Sequence, residues 1–106
     1  MEFIKKMNAE VIYKKIAELE QNKKYKIISH DLRYVEHLDK NILNVILDVD
    51  GERWSVGLSD KIRQNFESQN DIEREKIVGL KLFHQLKTFT DKFGKIVTYY
   101  DVKFTQ

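Results

Sequence analysis

Residues 47–58 read LDVDGERWSVGL, and the Asp50-Gly51 pair inside them sets the reading of everything around it. Asp-Gly is a preferred pair for a two-residue type I′ hairpin, because both central positions need positive φ. With these two in the turn, Val49 faces Glu52, Leu47 faces Trp54, Val45 faces Val56 and Leu43 faces Leu58. Three consecutive apolar pairs then share one face. The other face receives Asp48 with Arg53, Ile46 with Ser55 and Asn44 with Gly57. A slip by one residue would scramble both faces, so turn chemistry and side-chain pattern agree. The reading is two strands, 42–49 and 52–58, with one buried side.

Working outward, YKIISHDLRYVEHL at 25–38 is rich in β-branched and aromatic residues. Ile28, His30, Leu32 and Tyr34 alternate with Ser29, Asp31 and Arg33, so it reads as a further strand, with LDKN at 38–41 as the turn. Upstream, Ile4, Met7, Val11, Ile12, Ile16 and Leu19 recur at three- and four-residue steps. This predicts an amphipathic helix over about 8–20, with Asn8 as its cap and QNKK at 21–24 as its end. Downstream, Ser59 is a good N-cap, Asp60 suits the first turn, and Ile62 and Phe66 share a face. A short helix over 60–67 follows. IEREKIVG at 72–79 reads equally as a second helical turn or as the lead-in to a strand.

The last third is a second hairpin. Its tip, DKFGK, suits a three-residue loop with Gly94 left-handed. Asp91 then pairs with Lys95. Thr88, Leu86, His84 and Leu82 face Thr98, Tyr100, Val102 and Phe104 on the expected core side. The opposite side pairs Phe89 with Val97, Lys87 with Tyr99, Gln85 with Asp101 and Phe83 with Lys103.

The order is helix, three-stranded meander, short helix, hairpin. Over 25–104 it resembles, in topology alone and without a sequence motif, the OB-fold. The expectation is a single mainly-β (α+β) domain: a five-stranded OB-like antiparallel barrel, with a short helix between its third and fourth strands and residues 1–24 as an N-terminal helical extension. The competing arrangement is an open antiparallel sheet with helices on one face, residues 60–80 forming one long helix or a broken pair.

Composition narrows the function. The chain has 106 residues, which fits one domain, and 42% hydrophobic residues, enough for a core. With no cysteine there is no disulfide framework, thiolate metal site or cysteine nucleophile. No apolar run reaches the roughly 20 residues of a bilayer span, and MEFIKKMNAE has no apolar signal core. An intracellular, cytoplasmic protein without membrane contact is expected. Abundant Lys, Ile and Asn with no proline suit an AT-rich bacterial or phage genome. The net charge of +2 is distributed unevenly. Residues 76–106 hold six lysines against Asp91 and Asp101, whereas 67–75 hold Glu67, Asp71, Glu73 and Glu75 against Arg74.

No catalytic constellation is visible. The serines lie in no nucleophile elbow and the four glycines form no phosphate loop. Asp48, Asp50 and Glu52 are explained by the hairpin rather than by a cation, and His30, His37 and His84 show no ligand spacing. His84 and Trp54 fall on the core side. No enzyme activity, cofactor or metal is expected. OB-folds commonly bind single-stranded nucleic acid with stacking aromatics and lysines. The resemblance thus implies a nucleic-acid face of Lys81, Phe83, Lys87, Phe89, Lys92, Phe93, Tyr99 and Lys103, with Arg53 on the outward side of the first hairpin. If the N-terminal helix packs there, those rings belong to the core instead. The second reading is a protein-interaction module of phage or mobile-element origin acting on a host complex, with Glu67, Asp71, Glu73 and Glu75 as its contact surface. Self-association through the N-terminal helix is a third.

Overall fold

A computed structural model of the chain describes residues 11–106. They form six strands and two short helices. The strands are β1 (Val11–Lys14), β2 (Tyr25–Val35), β3 (Lys40–Val49), β4 (Glu52–Gly57), β5 (Lys81–Thr90) and β6 (Ile96–Thr105). The helices are α1 (Asp60–Glu67) and α2 (Asp71–Glu75). All six strands join one curled half-barrel sheet in the order β1-β4-β3-β2-β5-β6. A closed barrel needs its two outermost strands to pair. Here β1 and β6 do not pair, so the expected five-stranded antiparallel barrel is corrected to an open sheet, mixed rather than wholly antiparallel because β1 runs parallel to β4.

The first hairpin has the register that Asp-Gly dictates. Val49 pairs with Glu52, Leu47 with Trp54, Val45 with Val56 and Asp48 with Arg53. Asp50 and Gly51 take φ of 53° and 88°, the positive values of a type I′ turn. Asp48 Oδ1 accepts from Gly51 N–H at 3.0 Å, which fixes that aspartate to the turn. Leu43, Val45, Leu47 and Val56 are buried and form the centre of the core. Trp54 packs at its margin, half-buried, with the Lys14 ammonium 5.2 Å from its ring centroid.

β2 departs from simple alternation. Its ladder to β3 shifts between Ile27 and Ser29, a bulge at Ile28. The extra residue changes phase, so Tyr25 and Ile27 join His30 and Leu32 on the core side. Ile27, not Ile28, is the fully buried isoleucine. The strand ends at Val35, and the connection is a 3₁₀ turn at Glu36–Leu38 with Asp39 left-handed. The turn therefore precedes the expected 38–41, and His37 lies in it rather than on a strand.

The helix expected over 8–20 is corrected. Residues 1–10 lie outside the described residues. Val11–Lys14 is a strand running parallel to β4, with Ile12 opposite Trp54, and Ile16–Glu18 is a single 3₁₀ turn. VIYK is β-branched and aromatic, and the outer edge of β4 supplies a ladder for it. Spacings that look helical are thus divided between a strand and a turn, with Leu19 reaching the core.

α1 starts where Ser59 caps it, the hydroxyl accepting from Ile62 N–H at 3.3 Å. It buries Phe66. α2, capped by Asn70, resolves the ambiguous stretch as a second helical turn followed by turns to Gly79.

Candidate nucleic-acid interface

The second hairpin has the expected register throughout, from Lys81 opposite Thr105 to Thr90 opposite Ile96. At its tip Gly94 has φ 78°, and Asp91 Oδ1 accepts from the backbone N–H of Phe93 and of Lys95, both at 2.9 Å. Only its base belongs to the core. Leu82 and His84 are buried, but Leu86 is 44% exposed and Tyr100 46%. The reason is attachment. β5 meets β2 in just two register pairs, Tyr25 with Leu82 and Lys26 with Lys81. Beyond them, residues 20–24 back β5: the His84 carbonyl accepts from Asn22 N–H, and Leu86 N–H donates to Gln21 Oε1, both at 2.9 Å. Past Leu86 the hairpin is a two-stranded arm with exposed residues on both faces. The expected core side of the hairpin is therefore corrected for Leu86, Thr88, Thr98 and Tyr100, which are exposed.

The outward face of this arm carries the expected aromatic and basic residues. Phe89 and Tyr99 pack edge to face, ring centroids 5.8 Å apart, and both remain about half exposed. Phe93 at the tip is 83% exposed, with the Lys92 ammonium 5.2 Å from its ring centroid. Phe83 is half-buried nearer the base. Lys87 Nζ donates to Asp101 Oδ2 at 2.6 Å, and Lys103 Nζ stands 3.8 Å from the same oxygen. This pairing raises the Lys87 ammonium above its ordinary range and holds the Asp101 carboxyl below its own, the hydrogen bond being the main cause in each. One aspartate is thus shared by two lysines, leaving a positive balance on the face.

At the base of the arm the sheet adds residues that the sequence reading missed. Lys26 lies opposite both Lys81 and Asp48, and Asp48 lies opposite Arg53. These four form a row across β5, β2, β3 and β4 on the outward side. Lys23 and Lys24 join Lys26, Lys81, Asp48 and Asp50 around a cleft of about 310 Å³, with Lys23 Nζ 3.6 Å from Asp50 Oδ1. The run NKKYK at 22–26 was the available signal, but only the β2–β5 pairing sets it beside Lys81. Arg53 stands three strands from the arm, roughly 14 Å across the ladder. It belongs to this basic row rather than to the aromatic strip.

The acidic residues of 67–75 are paired. Arg63 Nη1 donates to Glu67 Oε1 at 2.7 Å, which holds that carboxyl below its ordinary range. Asp71 stands 3.9 Å from Arg74, Lys76 donates to Glu73 at 2.8 Å, and Glu75 meets His30 Nε2 at 2.8 Å. Arg74 itself donates to the carbonyls of Phe66 and Glu67 and so ties α2 to α1. His84 is buried against Tyr100, and burial lowers the pKa of its imidazole.

No helix among the described residues is long and apolar enough to cross a membrane. No protein-family model, curated protein or solved structure shows significant similarity to this chain.

Proposed function

We propose that the protein is a small OB-like binding protein that holds single-stranded nucleic acid along the outward face of the β5–β6 arm. The observation that carries this reading is the arm itself. It holds Phe89, Tyr99 and Phe93 clear of the core, interleaved with Lys87, Lys92 and Lys103, and leads down to Lys81 and Lys26. Bases stack on exposed rings without regard to sequence, and lysines along the path neutralise phosphates. The N-terminal helix that would have turned these rings into core is not formed over residues 11–20. The OB-type assignment draws on the meander, the intervening helix and the β2–β5 contact, with β1 added at the outer edge of β4.

Fluorescence anisotropy with a labelled single-stranded oligonucleotide, at low and at moderate salt, tests the proposal. Binding that weakens steeply with salt and prefers single over double strands supports it. No binding at low salt overturns it.

A second reading, contact with a protein partner through α2, draws on Ile72. This isoleucine is 75% exposed between Asp71 and Glu73. Charge reversal at Glu73 and Glu75 that left capture of a host partner intact would count against it.

A further inference from the structure

We propose that β6 is a self-association edge, on which a second copy of the chain adds its own β6 antiparallel about a two-fold axis at Val102. The inference is independent of nucleic-acid binding. In β5, the His84 carbonyl and the Leu86 N–H point away from β6, since they bond Asn22 and Gln21. Antiparallel pairing alternates, so the residues opposite them, Val102 and Tyr100, also turn their N–H and C=O away from β5. The same holds for Ile96, Thr98 and Phe104. Among the described residues no strand lies beyond β6, so this ten-residue edge presents an unpaired ladder.

Such an edge is ordinarily blunted by lysine and other charges, proline, bulges or shortness. β6 is ten residues long, has no proline or bulge, and its two charges, Asp101 and Lys103, are of opposite sign. It reads IVTYYDVKFT, continuous and β-branched or aromatic over most of its length. A cleft of about 450 Å³, lined by Ser59, Lys61, Ile62 and Asn65 on one side and residues 99–102 on the other, separates α1 from the strand.

Charge selects the occupant and the register. The strand has one acid and one base, Asp101 and Lys103, both on its outward face. Two copies paired about Asp101 would set aspartate against aspartate, and about Lys103 lysine against lysine, both destabilising. Pairing about Val102 sets Asp101 of each copy opposite Lys103 of the other, twice by symmetry. Tyr100 then faces Phe104 of the second copy on the inner side, and the outward-turned groups of Tyr100, Val102 and Phe104 all find partners. A two-fold interface is self-complementary in this way by necessity. The two sheets become continuous and their outward faces adjoin.

The test uses the full chain, which has no native cysteine to interfere. Light scattering at increasing concentration should show twice the monomer mass. Asp101→Lys and Lys103→Asp should each be monomeric alone, and an equimolar mixture of the two should recover the dimer, because each bears what the other lacks. As a check that does not depend on charge, Val102→Cys should cross-link to a dimer on mild oxidation, since directly opposed residues about 5.5 Å apart suit a disulfide. Thr98→Cys, far from its own copy in this register, should not. A wild-type chain that stays monomeric at its highest soluble concentration overturns the proposal. So does a dimer that cross-links through Thr98→Cys and not Val102→Cys, or a mixture that fails to recover although both variants keep the wild-type circular dichroism.

Discussion

Tyr25 stands opposite Leu82, both buried, and this pair anchors the second hairpin to the rest of the sheet. The Tyr25 hydroxyl accepts from Glu20 N–H at 3.0 Å, so the same ring also holds the loop that backs β5. An isolated two-stranded hairpin is marginal in water. The arm therefore depends on its base, and the base depends on a few side chains.

Leu82→Ala should accordingly cost about 2–5 kcal/mol, the range for deleting a buried leucine side chain. Leu86→Ala, four residues up the same face and nearly half exposed, should change stability by only about 0.5 kcal/mol or less. Urea unfolding of the two variants measures both. Equal losses would mean that the distal arm is packed.

Gly51 has φ 88° with open space where a Cβ would stand. Gly51→Ala therefore meets no clash and feels the backbone alone. It should destabilise by about 1–2 kcal/mol, the left-handed penalty of an L-residue. The midpoint in urea should fall while the slope stays unchanged.

Phe89→Ala and Tyr99→Ala should each weaken single-strand binding by roughly 1–3 kcal/mol if a base stacks on that ring pair. Their thermal unfolding should hold close to wild type, since both rings are about half exposed. Full affinity in both variants would remove the arm from the binding site.

Lys26→Ala and Lys81→Ala bear on the basic row at the base of the arm. If each lysine meets a phosphate, each substitution should flatten the dependence of log K on log salt by roughly 0.7. Anisotropy titrations at four salt concentrations give the slope. An unchanged slope would confine binding to the distal arm.

His84 provides the pH dependence. Burial lowers its pKa below the ordinary value near 6.5. Between its folded value and about 6.5 the unfolded chain binds the extra proton and the folded chain does not. Its contribution to stability is thus complete above about pH 6.5 and declines as the pH falls below it. His84→Phe should remove this part of the acid slope, read as the difference between wild-type and variant melting temperatures from pH 7.5 to 5.

The two hairpins were legible because each is fixed within about twenty residues. Asp50-Gly51 and the Gly94 loop impose positive φ, and alternation about each turn then settles the register. The cap at Ser59 was legible for the same reason. Wherever two local readings competed, the sequence was silent or misleading. Val11, Ile12, Ile16 and Leu19 fit a helical stripe as well as they fit a strand and a turn, and the free edge of β4 made the choice. Ile28 fits the alternation of its strand, yet the bulge gives its place in the core to Ile27.

The candidate site divides along the same line. The sequence by itself determined that Phe83, Phe89 and Tyr99 share a face with Lys81, Lys87 and Lys103, because strand parity does not depend on context. Only the tertiary structure decided that the distal rings stand clear of the core, that Lys26 lies beside Lys81, and that β6 is the outermost strand among the described residues. Those features rest on contacts between segments more than fifty residues apart. No local propensity encodes such contacts, which form only where the whole sheet brings two surfaces into register.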